Sequence, residues 1–79
     1  MASAYVLINC DLGSEWSIIK EIRGIADVKK VEGIYGAYDI IVIVESNNME
    51  ELKKNIMWKI RSIPQVRSTV TLLETDVKG

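Results

Sequence analysis

Apolar residues along this chain keep two rhythms, and the changes between them mark its elements. Residues 4–10 (Ala-Tyr-Val-Leu-Ile-Asn-Cys) are a short run rich in aromatic and β-branched side chains, the composition of a strand. Asp11-Leu12-Gly13-Ser14 is loop chemistry. From Glu15 onward Ile18, Ile22 and Ile25 recur at i, i+4 and i+7, with Ile19 and Ala26 widening the stripe. That predicts a helix with Ser14 as its N-cap. A second helix opens behind Asn48, with Glu51 at its third position, close to a capping box. It lines up Leu52, Ile56, Ile60 and Ile63 and stops at Pro64. Strands two and three are expected to form a hairpin around Tyr35-Gly36-Ala37-Tyr38, where Gly36 supplies the positive φ of a tight turn. Strand three then runs from Asp39 to Glu45 and strand four from Val66 to Glu74.

The two halves echo one another. Glu21-Ile22-Arg23-Gly24-Ile25-Ala26-Asp27-Val28-Lys29 aligns with Lys59-Ile60-Arg61-Ser62-Ile63-Pro64-Gln65-Val66-Arg67, 38 residues further on. Two copies are too few for a solenoid. Two strand-helix-strand copies instead make one split unit, so the predicted fold is α+β, a ferredoxin-like β-α-β-β-α-β domain over residues 1–79. Its antiparallel four-stranded sheet carries both helices on one face.

Two helices cover only one face of such a sheet, and a sheet with one wet face alternates apolar and polar residues. Neither strand one (Tyr5, Leu7 against Val6, Ile8) nor strand three (Ile40-Ile41-Val42-Ile43-Val44) alternates. Both faces therefore ask to be dry. A second copy packing sheet against sheet, a dimeric α/β barrel, is the expected cover. Size points the same way. A chain of 79 residues buries only about 60% of its unfolded surface. It has a single cysteine and no histidine, so neither an internal disulfide nor an imidazole-based zinc site can staple it.

Charge narrows the partners. Ten basic residues against eleven acidic ones give a net charge of −1, no field to draw the chain onto nucleic acid or an anionic membrane. No apolar run is long enough to span a bilayer and no leader-like segment precedes strand one, so a cytoplasmic protein is expected. Nothing resembles a catalytic constellation, and no cofactor or metal is expected. Cys10 reads as a small buried apolar residue. Trp16 and Trp58 lie off their helices' main stripes and suit contacts between subunits or the core's edge. The basic residues read as solvated faces.

Two segments offer ligand chemistry. Gly36-Ala37-Tyr38-Asp39 brings a turn glycine, a ring and a carboxylate to one hairpin tip. There Asp39 can accept from an α-amino group and turn amides can donate to a carboxylate. An ordinary hairpin with a solvated Asp39 explains the same residues. Ser68, Thr69 and Thr71 can line a small polar pocket, although threonine is also simply a good strand residue.

Taken in order, Ile-x-x-Val after the first helix, Gly36-Ala37-Tyr38-Asp39, then Ile60-Arg61-Ser62-Ile63-Pro64 with Ser68-Thr69-Val70-Thr71, the chain resembles the ligand-binding (RAM) domain of Lrp/AsnC transcription regulators from Ala4 to Glu74. The resemblance implies sheets packed face to face in dimers, dimers assembling into rings such as octamers, and free amino acids bound between dimers near the hairpin. By the same resemblance Gly36, Tyr38 and Asp39 hold the effector's zwitterionic backbone, with Ser68, Thr69 and Thr71 in the same cleft. Two features depart from the family. Its usual Pro-Gly is Ala26-Asp27 here, and no helix-turn-helix domain is present, as in stand-alone RAM proteins. The expected role is an amino-acid sensor, not an enzyme, acting on full-length Lrp/AsnC regulators without touching DNA itself. An ACT-like regulatory domain, a ligand-free oligomerisation module and a small dimeric α/β-barrel monooxygenase are the alternatives.

Overall fold

The computed structural model describes residues 2–74, so both ends of the expected 1–79 domain lie outside the described residues. Its elements follow the order β1 (Ala2–Cys10), α1 (Glu15–Arg23), β2 (Val28–Gly33), β3 (Ile40–Ser46), α2 (Met49–Glu51), a π-helical segment (Leu52–Met57), α3 (Trp58–Arg61) and β4 (Val66–Leu73). The strands lie in the order β2-β3-β1-β4 with every neighbouring pair antiparallel, the ferredoxin-like arrangement expected from the repeat.

Register decides which residues share a face, because side chains directly opposite point the same way. Val6 lies opposite both Val42 and Thr71, and Leu7 lies opposite both Ile41 and Val70. Ala4, Val6, Ile8 and Cys10 of β1, with Ile40, Val42 and Val44 of β3, are buried under the helices. Ile18 and Ile22 of α1 close on them from above, as do Leu52, Ile56, Ile60 and Ile63, the whole predicted stripe of the second helix. Ala26 does not join the first stripe. It is exposed, in the turn beyond the helix.

The helix starts differ from expectation in an informative way. Asn48 caps α2 as predicted, its side-chain oxygen accepting from the N–H groups of Glu50 and Glu51 at 2.9 and 3.3 Å. The reciprocal half of the box is made by Ser46 rather than Glu51: the Asn48 N–H donates to Ser46 Oγ at 3.2 Å. Ser14 occupies the N-cap position of α1 without capping it. Its hydroxyl donates to the Asp11 carbonyl, and Glu15 instead accepts from the Gly13 N–H at 3.1 Å.

The connection between β2 and β3 is wider than a tight hairpin turn. It spans 34–39, closed where the Ile34 N–H donates to the Asp39 carbonyl at 2.8 Å. Gly36 does take a positive φ, +125°. Asp27, in the turn before β2, holds φ +71°, the one non-glycine residue in that region among those described.

The other face of the sheet has no cover within the chain. Tyr5, Leu7, Ile41 and Ile43 are half-buried there, and Val70 and Leu72 on edge strand β4 leave 38% and 50% of their surface open.

Candidate functional site

The C-terminal end of β1 and the N-terminal ends of β3 and β4 meet at one end of the sheet: Ile8 pairs with Ile40, and Cys10 with Val66. Asp39 sits there, just before β3. Its N–H donates to the Ile8 carbonyl at 2.9 Å, and its Oδ2 accepts from the Cys10 N–H at 3.0 Å. The carboxylate is thus half-buried and anchored across the sheet by one oxygen, rather than freely solvated at a hairpin tip. Beside it opens a cleft of about 420 Å³ lined by Glu15, Gly33, Ile34, Tyr35 and Asp39. Two carboxylates and no cation line it.

Gly36 and Tyr38 belong to the same loop but do not line that cleft. Gly36 is exposed, and a side chain there would meet nothing within 4 Å, so its constraint is its φ. Tyr38 is half-buried. The three hydroxyl residues divide. Ser68 lies opposite Asn9 on the open face, whereas Thr69 and Thr71 lie opposite Ile8 and Val6 on the helix-facing side. Ser68 and Thr69 border a separate depression of about 280 Å³ with Arg61, Val66 and Arg67. Thr71 points inward, its hydroxyl donating to Met57 Sδ at 3.2 Å. Within one chain the structure therefore brings the Asp39 and Ser68–Thr69 regions to the same end of the sheet as two cavities, not one.

Glu15, Tyr35, Arg61 and Arg67 carry no role in the sequence reading yet line these cavities. The signal that finds them is topological. With β1 beside β3, the first turn of α1 must open next to the 34–39 loop, and with β4 beside β1, the end of α3 must open next to Ser68. Arg67 also pairs with Asp11, Nε to Oδ1 at 3.0 Å, tying the β1–α1 loop to β4.

Cys10 is buried, as expected. Burial pushes its thiol above its ordinary value, with the Asp39 and Glu15 charges adding to the shift and a hydrogen bond to Ser14 opposing it. A thiol held in its protonated form is a poor nucleophile. No group of His, Cys, Asp or Glu among the described residues is arranged to hold a metal ion. No helix among them is long and apolar enough to cross a membrane. What this end of the sheet offers is one carboxylate fixed across the sheet and a second beside it, lining a small cleft.

Comparison with known proteins identifies the family. Residues 3–76 match the family model of the Lrp/AsnC ligand binding domain. An uncharacterized HTH-type transcriptional regulator of Pyrococcus furiosus is 34% identical over 74 residues, 90% of this chain and 49% of the regulator. The chain spans about half the length of the curated relatives it matches. A hypothetical protein from Pyrococcus horikoshii superposes with a TM-score of 0.88 at 31% identity, over 95% of this chain and 90% of its own. The feast or famine regulatory protein of M. tuberculosis, solved in complex with L-methionine, shares the fold at a TM-score of 0.78 and 19% identity, over 98% of this chain and 52% of its own. A split βαβ sheet, matched over nearly its whole length by one family model, places the chain in the Lrp/AsnC ligand-binding domain family.

Proposed function

We propose that this chain is an amino-acid-sensing module that dimerises through the open face of its sheet and acts on Lrp/AsnC-type regulators by co-assembly, with no DNA contact of its own. The observation that carries the sensing role is the carboxylate of Asp39, fixed by the Cys10 N–H at the rim of a cleft of about 420 Å³. That volume is in the range of small-molecule sites. One oxygen of Asp39 is committed to the backbone. The other is left to accept from an α-ammonium group, a charge-assisted bond, while amides of the loop around Gly36 donate to the α-carboxylate. Tyr38 belongs to the same loop. Ser68 and Thr69, on the β4 edge, would reach an effector held by a neighbouring subunit; Thr71, its hydroxyl turned toward Met57, lines neither cavity.

Three further points support the reading. A relative of this fold was solved with an amino acid, L-methionine. The open sheet face presents Tyr5, Leu7, Ile41, Ile43, Val70 and Leu72 together, an apolar surface of the kind a second sheet covers in a face-to-face dimer. The net charge of −1 gives no pull toward nucleic acid, and a role in the cytoplasm beside the regulators follows from the family.

Titration calorimetry of the assembled protein against the twenty free amino acids tests the site. The expected result is binding of a subset, weakened at least about tenfold in Asp39→Ala, since a lost charge-assisted hydrogen bond costs about 1.5–3 kcal/mol. An Asp39→Ala protein that assembles and binds undiminished removes Asp39 from the site. A wild-type protein indifferent to every amino acid leaves a purely structural module.

A further inference from the structure

The cleft beside Asp39 has a charge pattern that a simple zwitterion answers only in part. Asp39 and Glu15 line it from two different elements, the chain entering β3 and the first turn of α1, and both are half-buried. Each is oriented by a backbone N–H: Cys10 donates to Asp39 Oδ2 at 3.0 Å, and Gly13 donates to Glu15 Oε1 at 3.1 Å. No lysine or arginine pairs with either carboxylate among the described residues, and none lines the cleft. The two charges act at one place, for after burial itself both push the Cys10 thiol up. Beyond Gly33, the rest of the lining is apolar or aromatic, with Ile34 half-buried and Tyr35 fully exposed.

We propose that the effector is a cationic amino acid, of the class of L-lysine, L-ornithine and L-arginine, and that Glu15 is the residue that selects it. The inference rests on the amino-acid-sensing reading above: the α-ammonium group goes to Asp39 and the positive end of the side chain goes to Glu15. A neutral amino acid brings one cation to a cleft with two anions. It leaves Glu15 against an apolar side chain, stripped of water with no partner in exchange. An acidic amino acid adds a further negative charge, and like charges brought together exclude a wrong ligand as firmly as contacts retain the right one. A cationic side chain satisfies both carboxylates through charge-assisted hydrogen bonds. Its methylene stem suits Ile34, since long cationic side chains lay their stems on apolar surface while the head stays with polar groups. The Tyr35 ring is a surface to which such a cation is drawn.

Calorimetric titration of the full chain with L-lysine, L-norleucine and L-glutamate tests the selection, because norleucine keeps the carbon chain of lysine and lacks only its side-chain ammonium group. The expected wild type binds lysine at least about tenfold more tightly than norleucine, the worth of one charge-assisted hydrogen bond, and glutamate more weakly than either. In Glu15→Gln, which keeps an oxygen for the Gly13 N–H, the ratio of lysine to norleucine affinity falls toward one. Asp39→Ala weakens both ligands together, because they share the α-ammonium group. Norleucine or L-methionine binding as tightly as lysine, or a Glu15→Gln protein that keeps the wild-type ratio, overturns the cationic preference and leaves the amino-acid sensor standing. Failure of all the amino acids, L-ornithine and L-arginine included, to bind the wild type overturns both. The comparison of lysine with norleucine needs no variant, so it decides the matter even if Glu15→Gln does not fold.

Discussion

Asp27 and Asp39 show what a single residue can and cannot reveal before the fold is known. The Ala26-Asp27 pair marks a departure from the family's Pro-Gly turn, and the structure shows the physical content of that departure: Asp27 takes φ +71°, a conformation glycine adopts without penalty and an aspartate tolerates at a cost. Asp27→Gly is therefore expected to stabilise the protein by about 0.5–1 kcal/mol, the relief of strain exceeding the added freedom of the unfolded chain, while Asp27→Val destabilises it by more than 1 kcal/mol or so. Urea unfolding at a fixed protein concentration measures both. Asp39 was legible as a carboxylate beside a turn glycine. Its bond to the Cys10 N–H was not, because that contact joins residues 29 apart and exists only once β1 and β3 are in register.

Elements are legible in the sequence where periodicity and caps agree. Asn48 was identified as a cap from spacing alone, and it accepts two backbone N–H groups. Asn48→Ala leaves both without that partner and is expected to cost about 1 kcal/mol, seen as a lower urea midpoint with an unchanged slope. Ser14 had the same local credentials, but the Asp11 carbonyl competes for its hydroxyl, an interaction that spacing does not rank. The π-helical turns of Leu52–Met57 have a trace in the sequence after all. Leu52, Ile56 and Ile60 follow one another at successive intervals of four, and each such step overshoots an α-helical turn by about 40°. Wider turns keep all three on the sheet, where they are buried. The 34–39 loop is longer than the tight turn its sequence predicts, because Gly36 accounts for a positive φ but not for the length between Ile34 and Asp39.

At the scale of the molecule, the non-alternating strands gave the most far-reaching clue. Burial along β3 alternates strictly even though its sequence does not, so the half-buried set Ile41 and Ile43 marks a face that one chain leaves open. Ile43→Glu places a charge in the middle of that face. It is expected to weaken the sheet-face dimer by more than about a hundredfold, roughly 3 kcal/mol, bringing a monomer into view by sedimentation in the micromolar range. An unchanged mass would remove the sheet face as the dimer contact. One more property follows from how the strands run. β1 ends and β4 begins beside Asp39, while Ala4 lies opposite Leu73 and the Glu74 N–H donates to the Ser3 carbonyl at the far end of the sheet. Any domain tethered before β1 or after β4 would thus hang from the same corner, a strand's length of about 25–30 Å from the cleft beside Asp39. Any coupling between that cleft and such a tether would have to span the length of the sheet.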